Sequence, residues 1–140
     1  MFQRILVAYD GSDGARTAFR RGIALAKALG AELHIVSVEE HLPHYAASIS
    51  EVKASKEQID EYFRTLTKQA RDLAALSGIS LDATIRQGHE VEQIAQVARE
   101  GKFDLLILGY HGHSAVFERI IGSTAQSILR HAPCSVLLAK

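Results

Sequence analysis

The residues best suited to chemistry lie together late in the chain, in the run from Gly109 through Tyr110, His111, Gly112 and His113 to Arg119, Gly122, Ser123 and Thr124. The run leaves the apolar stretch Leu105-Leu106-Ile107-Leu108 and enters a helical pattern spanning Ser123 to His131, which Pro133 stops. Glycine has no Cβ, so backbone N–H groups beside it can close on an anion. Gly122-Ser123-Thr124 stands where a helix begins. There, N–H groups, two hydroxyls and the positive end of the helix dipole converge. The chemistry this suits is phosphate binding past the carboxyl end of a buried strand, where open α/β sheets hold their ligands. A plainer reading is equally compatible with the spacing: Gly109 and Gly112 shape a loop, and Ser123 caps the helix. The run lacks G-x-x-x-x-G-K-[ST] and is no Walker A loop. Asp10-Gly11-Ser12-Asp13-Gly14 is not G-x-G-x-x-G, so there is no dinucleotide fingerprint.

Other candidates are weaker. His111 and His113 have the donors to meet a phosphate, as does the cation Arg119, though a solvated loop position suits His113 and a surface role suits Arg119. His41-x-x-His44 has the type of a zinc half-site. Zinc takes three or four ligands, however, and the lone Cys134 is far away in sequence, so a metal site is not expected. Arg16, Arg20, Arg21 and Lys27 read as the solvated face of a helix. No residue has the pattern of a catalytic base or an arginine finger, so no catalytic residue is assigned and any phosphoryl chemistry is expected to be slow.

The elements that must position these residues alternate regularly. Ile5-Leu6-Val7-Ala8 is an apolar run of the kind buried on both faces of a parallel sheet. Asp10 to Asp13 supplies a turn and a helix cap. Ala15, Phe19, Gly22, Ile23 and Ala26 then form a helical stripe, with Gly30 as its stop. Leu33, Ile35, Val36 and Val38 mark a second strand, followed by an irregular stretch from Glu39 to about Ser50. Ile59, Tyr62, Phe63, Leu66, Ala70 and Leu73 predict the core face of a long helix that Gly78 ends. Leu81, Ala83 and Ile85 alternate with Asp82, Thr84 and Arg86, as in an edge strand with one wet face. Val91, Ile94, Ala95 and Ala98 mark a short helix, and Val136 to Ala139 a last strand. The order β-α-β-α-β-α-β-α-β predicts a parallel sheet with helices on both faces.

The chain's 140 residues, 47% of them apolar and 23% charged, suit one globular domain. The formal net charge is +0, which argues against nucleic acid or an anionic membrane as the partner and permits self-association. A lone cysteine suggests a reducing compartment. The first strand begins almost at the first residue, leaving no room for a signal peptide. No apolar run reaches the roughly 18 residues of a membrane helix. The expected location is the cytoplasm.

Gly109, Gly112, Gly122 and Ser123 fit G-x2-G-x9-G-[ST]. In this the chain resembles the universal stress protein (UspA-like) family, in its ATP-binding subgroup. Ile5 to Ser12 is similar to that family's first strand and turn, and Ala132 to Leu138 to its closing strand. The resemblance implies an open five-stranded parallel sheet of order 3-2-1-4-5, adenine nucleotide alpha hydrolase-like and Rossmann-like. It implies ATP, possibly with Mg²⁺, bound by Ala8, Tyr9 and Asp10 at the first strand's end and by the Val38 backbone at the second's. Leu108, Gly109, His111 and Gly112 would wrap the ribose and phosphates, with Gly122, Ser123, Thr124 and Ala125 at the terminal phosphates. The implied role is a regulatory stress-response homodimer that uses ATP as a signal to a protein partner. The dimer would pair the Val136–Ala139 edge strands antiparallel, unless a helix or the C-terminus covers that edge. The alternatives are a slow ATPase or phosphotransfer enzyme, with Asp10 or His111 as acid or base, and a stress-response interaction protein without nucleotide. The intact glycine spacing argues against the last.

Overall fold

The computed structural model describes residues 1–40, 49–110 and 121–140, apart from the side chains of 49–52 and 54. Its elements run β1 (Arg4–Ala8), α1 (Asp13–Leu29), β2 (Glu32–Glu39), α2 (Ile49–Leu76), β3 (Leu81–Gln87), α3 (Glu90–Glu100), β4 (Leu105–Gly109), α4 (Ser123–His131) and β5 (Ser135–Ala139). The strands form a five-stranded sheet of order β3-β2-β1-β4-β5. Every pairing is parallel, with Ile5 opposite both Leu33 and Leu105, and Leu105 opposite Ser135. This is the expected Rossmann-like topology.

Strand alternation sorts the apolar residues between the two faces. Ile5, Val7, Leu33, Ile35, Leu105 and Ile107 meet Ala18, Phe19 and Ile23 of α1, together with Phe63 and Leu66 of α2. Leu6, Val36, Leu106 and Leu108 point the other way, onto Ile94 and Val97 of α3 and Ala125 and Ile128 of α4. Leu6, Ile35, Leu106 and Ile107 are fully buried, and each such side chain stabilises the fold by about 1.5–3 kcal/mol. The continuous apolar runs at β1 and β4 are thus the signature of strands covered on both sides.

Local signals set the helix ends. Ser12 caps α1, its Oγ accepting from the Ala15 N–H at 3.2 Å, and Gly30 ends it in the left-handed region at φ 64. Arg16, Arg20, Arg21 and Lys27 are exposed on α1.

The long helix departs from expectation. Phe63, Leu66, Ala70 and Ala74 are buried, whereas Ile59, Tyr62 and Leu73 are 39%, 49% and 37% exposed. Helix α2 rests chiefly on the edge strand β3, so it has one narrow stripe to bury. The second strand also runs one residue past Val38, to Glu39. Ile85 on β3 is 40% exposed, so even the apolar face of that edge strand is only partly covered.

Candidate functional site

In a parallel sheet every strand ends, and every following helix starts, at the same edge. The starts of α1, α3 and α4 therefore face the ends of β1, β2 and β4, around a cavity of about 260 Å³. Ala8, Tyr9 and Asp10 reach it from β1, Val36 and Val38 from β2, and Leu108, Gly109 and Tyr110 from β4. Gly122, Ser123, Thr124, Ala125 and Ile128 reach it from α4, Glu90 and Ile94 from α3, and Ser12 and Ala15 from α1. Its lining joins the apolar residues Val36, Val38, Ile94, Leu108 and Ile128 with the polar residues Asp10, Ser12, Ser123 and Thr124 and the start of α4. Such a cavity accepts a ligand with a flat apolar part and an anionic tail.

The turn after β1 is tightly organised. The Tyr9 N–H donates to the Val36 carbonyl at 2.9 Å, and the buried Ser37 hydroxyl donates to the Tyr9 carbonyl at 2.6 Å. Asp10 then accepts the Ser12 N–H on Oδ1 at 2.9 Å. Gly11 sits at φ +82, with a virtual Cβ 2.8 Å from Leu66 Cδ2, so no other residue fits there without strain. Asp10 is accordingly a turn former as well as part of the cavity lining.

The two glycines of β4 and α4 are glycines for different reasons. At Gly109 a Cβ would lie 2.5 Å from the Gly14 carbonyl carbon. The glycine there lets β4 pass against the first turn of α1, a packing need that is independent of any ligand. Among the described residues, a Cβ at Gly122 would meet nothing within 4 Å. Gly122 is the N-cap of α4 and offers no side chain to the helix. Ser123 is the first helical residue, so the reading of Ser123 as the cap is corrected: the helix starts one residue too early for it.

His111, Gly112, His113, Arg119 and the His41-x-x-His44 pair lie outside the described residues. Glu90, Tyr110, Val36, Ile94 and Ser12 line the cavity without having been expected there. Glu90 was findable in principle, because α3 follows β3 and must start at the same sheet edge as α1 and α4. Tyr110 follows β4, and its N–H donates to the Ala139 carbonyl at 2.8 Å. Cys134 belongs to the α3–α4 face, and burial, with Asp104 nearby, pushes its thiol up, which disfavours the reactive thiolate. Next to the cavity, burial and then the Asp60 charge push the Glu39 carboxyl up.

An open parallel sheet with a cavity of mixed apolar and polar lining at the strand ends, where the strand order switches, defines a doubly wound α/β protein. The chain belongs to the universal stress protein family, whose model matches residues 1–140. It is 37% identical over 141 residues to a universal stress protein encoded in the QAH/OAS sulfhydrylase 3' region of Thermus aquaticus, covering 100% of both chains. Among solved structures it is similar to the universal stress protein UspA from Lactobacillus plantarum, with TM-score 0.87, 25% identity and coverage of 99% of this chain and 98% of that one. It is also similar to a universal stress protein in complex with cAMP, with TM-score 0.70, 26% identity and coverage of 99% and 97%. Among the described residues, no helix is long and apolar enough to cross a membrane.

Proposed function

We propose that this chain binds ATP in the cavity at the strand ends and acts as a cytoplasmic stress-response regulator whose signal is nucleotide occupancy. The observation that carries this reading is the gathering of Asp10, Val38, Gly109, Gly122, Ser123 and Thr124, from four separate elements, around one cavity with both apolar and polar lining. Strand geometry supports an adenine against the apolar lining. Val36 turns its carbonyl to β1, where it meets the Tyr9 N–H. Alternate residues of a strand turn their backbone groups to the same side, so Val38 presents its N–H and carbonyl beyond the last paired residue of β1. Those groups match a purine edge, and this makes the identity of the Val38 side chain secondary. The phosphates would meet Ser123, Thr124 and the uncapped start of α4, with Asp10 as the carboxylate to share a Mg²⁺ with them. The family member solved with cAMP shows that a relative accepts an adenine nucleotide. Pairing of β5 edges would make the protein a homodimer, presenting a nucleotide-dependent surface to a protein partner.

The test is direct. The chain has no Trp and only four Tyr, so co-purified nucleotide shifts its absorbance visibly toward 260 nm. Heat release identifies the nucleotide, and added ATP should raise the melting temperature in a concentration-dependent way. Gly122→Val should abolish both effects and still fold, because a Cβ there meets none of the described residues. No bound nucleotide and no thermal shift at millimolar ATP would refute the reading. A second reading, slow hydrolysis, gains from Glu90, which adds a carboxylate to Asp10 in the cavity. Multiple turnovers per second, lost in Gly122→Val, would favour an enzyme over a signal.

A further inference from the structure

Residue Asp10 lies one position past the point where the β1 ladder stops. The last backbone bond is from Tyr9 to Val36, and the last side-chain tie is from Ser37 to the Tyr9 carbonyl. Gly11 follows, and a glycine without Cβ leaves the turn two soft dihedrals. A contact from outside the strand takes over there. The Tyr62 hydroxyl, on α2, donates to the Asp10 carbonyl at 3.1 Å across 52 positions of sequence. The same hydroxyl would lie 3.1 Å from a Cβ at Gly11, so α2 is seated directly on the turn. Burial does not explain this tyrosine, which is 49% exposed.

We propose that Tyr62 is a positioning residue for the nucleotide site, its hydroxyl setting the Asp10–Ser12 turn that lines the cavity. The proposal rests on the ATP reading above. The chain of contacts is continuous: Tyr62 holds the Asp10 carbonyl, the Asp10 carboxylate holds the Ser12 N–H, and Ser12 caps the helix whose start faces the ligand. A ligand that needs the turn in one conformation binds more weakly when that conformation must first be selected.

Tyr62→Phe removes the hydroxyl and keeps the ring. It should weaken ATP binding about two- to ten-fold, the range of one neutral hydrogen bond. The nucleotide-free melting temperature should fall no further than that of Ile59→Ala, a control one turn earlier on the same helix that should bind ATP as the wild type does. Amide exchange at Gly11 and Ser12 in the nucleotide-free protein should quicken in Tyr62→Phe and not in Ile59→Ala. Wild-type ATP affinity in Tyr62→Phe, or an equal loss in Ile59→Ala, would overturn the proposal. If the wild type binds no ATP, the functional reading fails separately, and unchanged exchange at Gly11 and Ser12 would then overturn the tether itself.

Discussion

Two glycines that look alike in sequence are separated by what surrounds them. Gly109 has the Gly14 backbone where a side chain would be, and Gly122 has open space among the described residues. Gly109→Ala should therefore destabilise the protein by about 1–3 kcal/mol or more, the cost of overpacking against backbone that cannot swing aside, whether or not nucleotide is present. Gly122→Ala should cost about 1 kcal/mol or less, the difference between glycine and alanine as an N-cap, with no clash added among the described residues. Denaturant melts of the two variants check this pair, and equal losses would show that the close approach at Gly109 is not what selects its glycine. With ATP the ranking reverses in kind: Gly122→Ala should lose affinity at unchanged fold, because Gly122 lines the cavity.

At the scale of elements, two polar contacts hold the far edge of the sheet. His34 of β2 lies 2.7 Å from the Thr84 hydroxyl of β3 and edge-on to Phe103. Burial lowers its pKa, the Asp82 charge opposes this, and Arg4 adds to the lowering. The unfolded chain then takes a proton that the folded chain refuses, so this histidine costs stability as pH falls below about 6.5. His34→Gln should flatten the fall in melting temperature between pH 7.5 and 5 relative to the wild type. Parallel slopes for the two proteins would refute the assignment. Asp104 works in the opposite region. Burial pushes its carboxyl up, but N–H groups of Gln3 and Arg4, at 2.8 and 3.0 Å, bring it below its ordinary value overall. The stability it contributes is present at neutral pH and is lost as pH drops through that lowered value. Asp104→Ala should cost about 1–2 kcal/mol at pH 7, and the difference from wild type should shrink toward pH 2.

For the whole molecule, the two sheet edges differ. Strand β3 carries Asp82 and Arg86, the kind of charges that discourage edge pairing, whereas β5 is Ser-Val-Leu-Leu-Ala. The Ala139 carbonyl faces β4, where it accepts from Tyr110, so alternation turns the backbone of Val136 and Leu138 outward. Val136→Pro would thus remove an outward N–H and leave the β4 ladder complete. If β5 edges pair in a homodimer, sedimentation should show wild-type dimer and Val136→Pro monomer, both folded. A wild-type monomer at micromolar concentration would sink this arrangement.

Periodicity and turn chemistry are local, and they alone determined the order of elements, the approximate bounds of α1, α3 and α4 and the edge position of β3, and they raised phosphate binding around Gly122 as an expectation. The resemblance carried by Gly109, Gly112, Gly122 and Ser123 extended this to strand order and to Asp10 and Val38. Tertiary structure decided what depends on neighbours distant in the chain. It exposed Ile59, Tyr62 and Leu73, because α2 rests chiefly on an edge strand and buries only a narrow stripe. It brought Glu90 and Tyr110 to the cavity, because parallel strands send every following helix to one rim. It also gave Gly109 a packing reason and left Gly122 a free one, a distinction set by whether Gly14 or open space lies opposite.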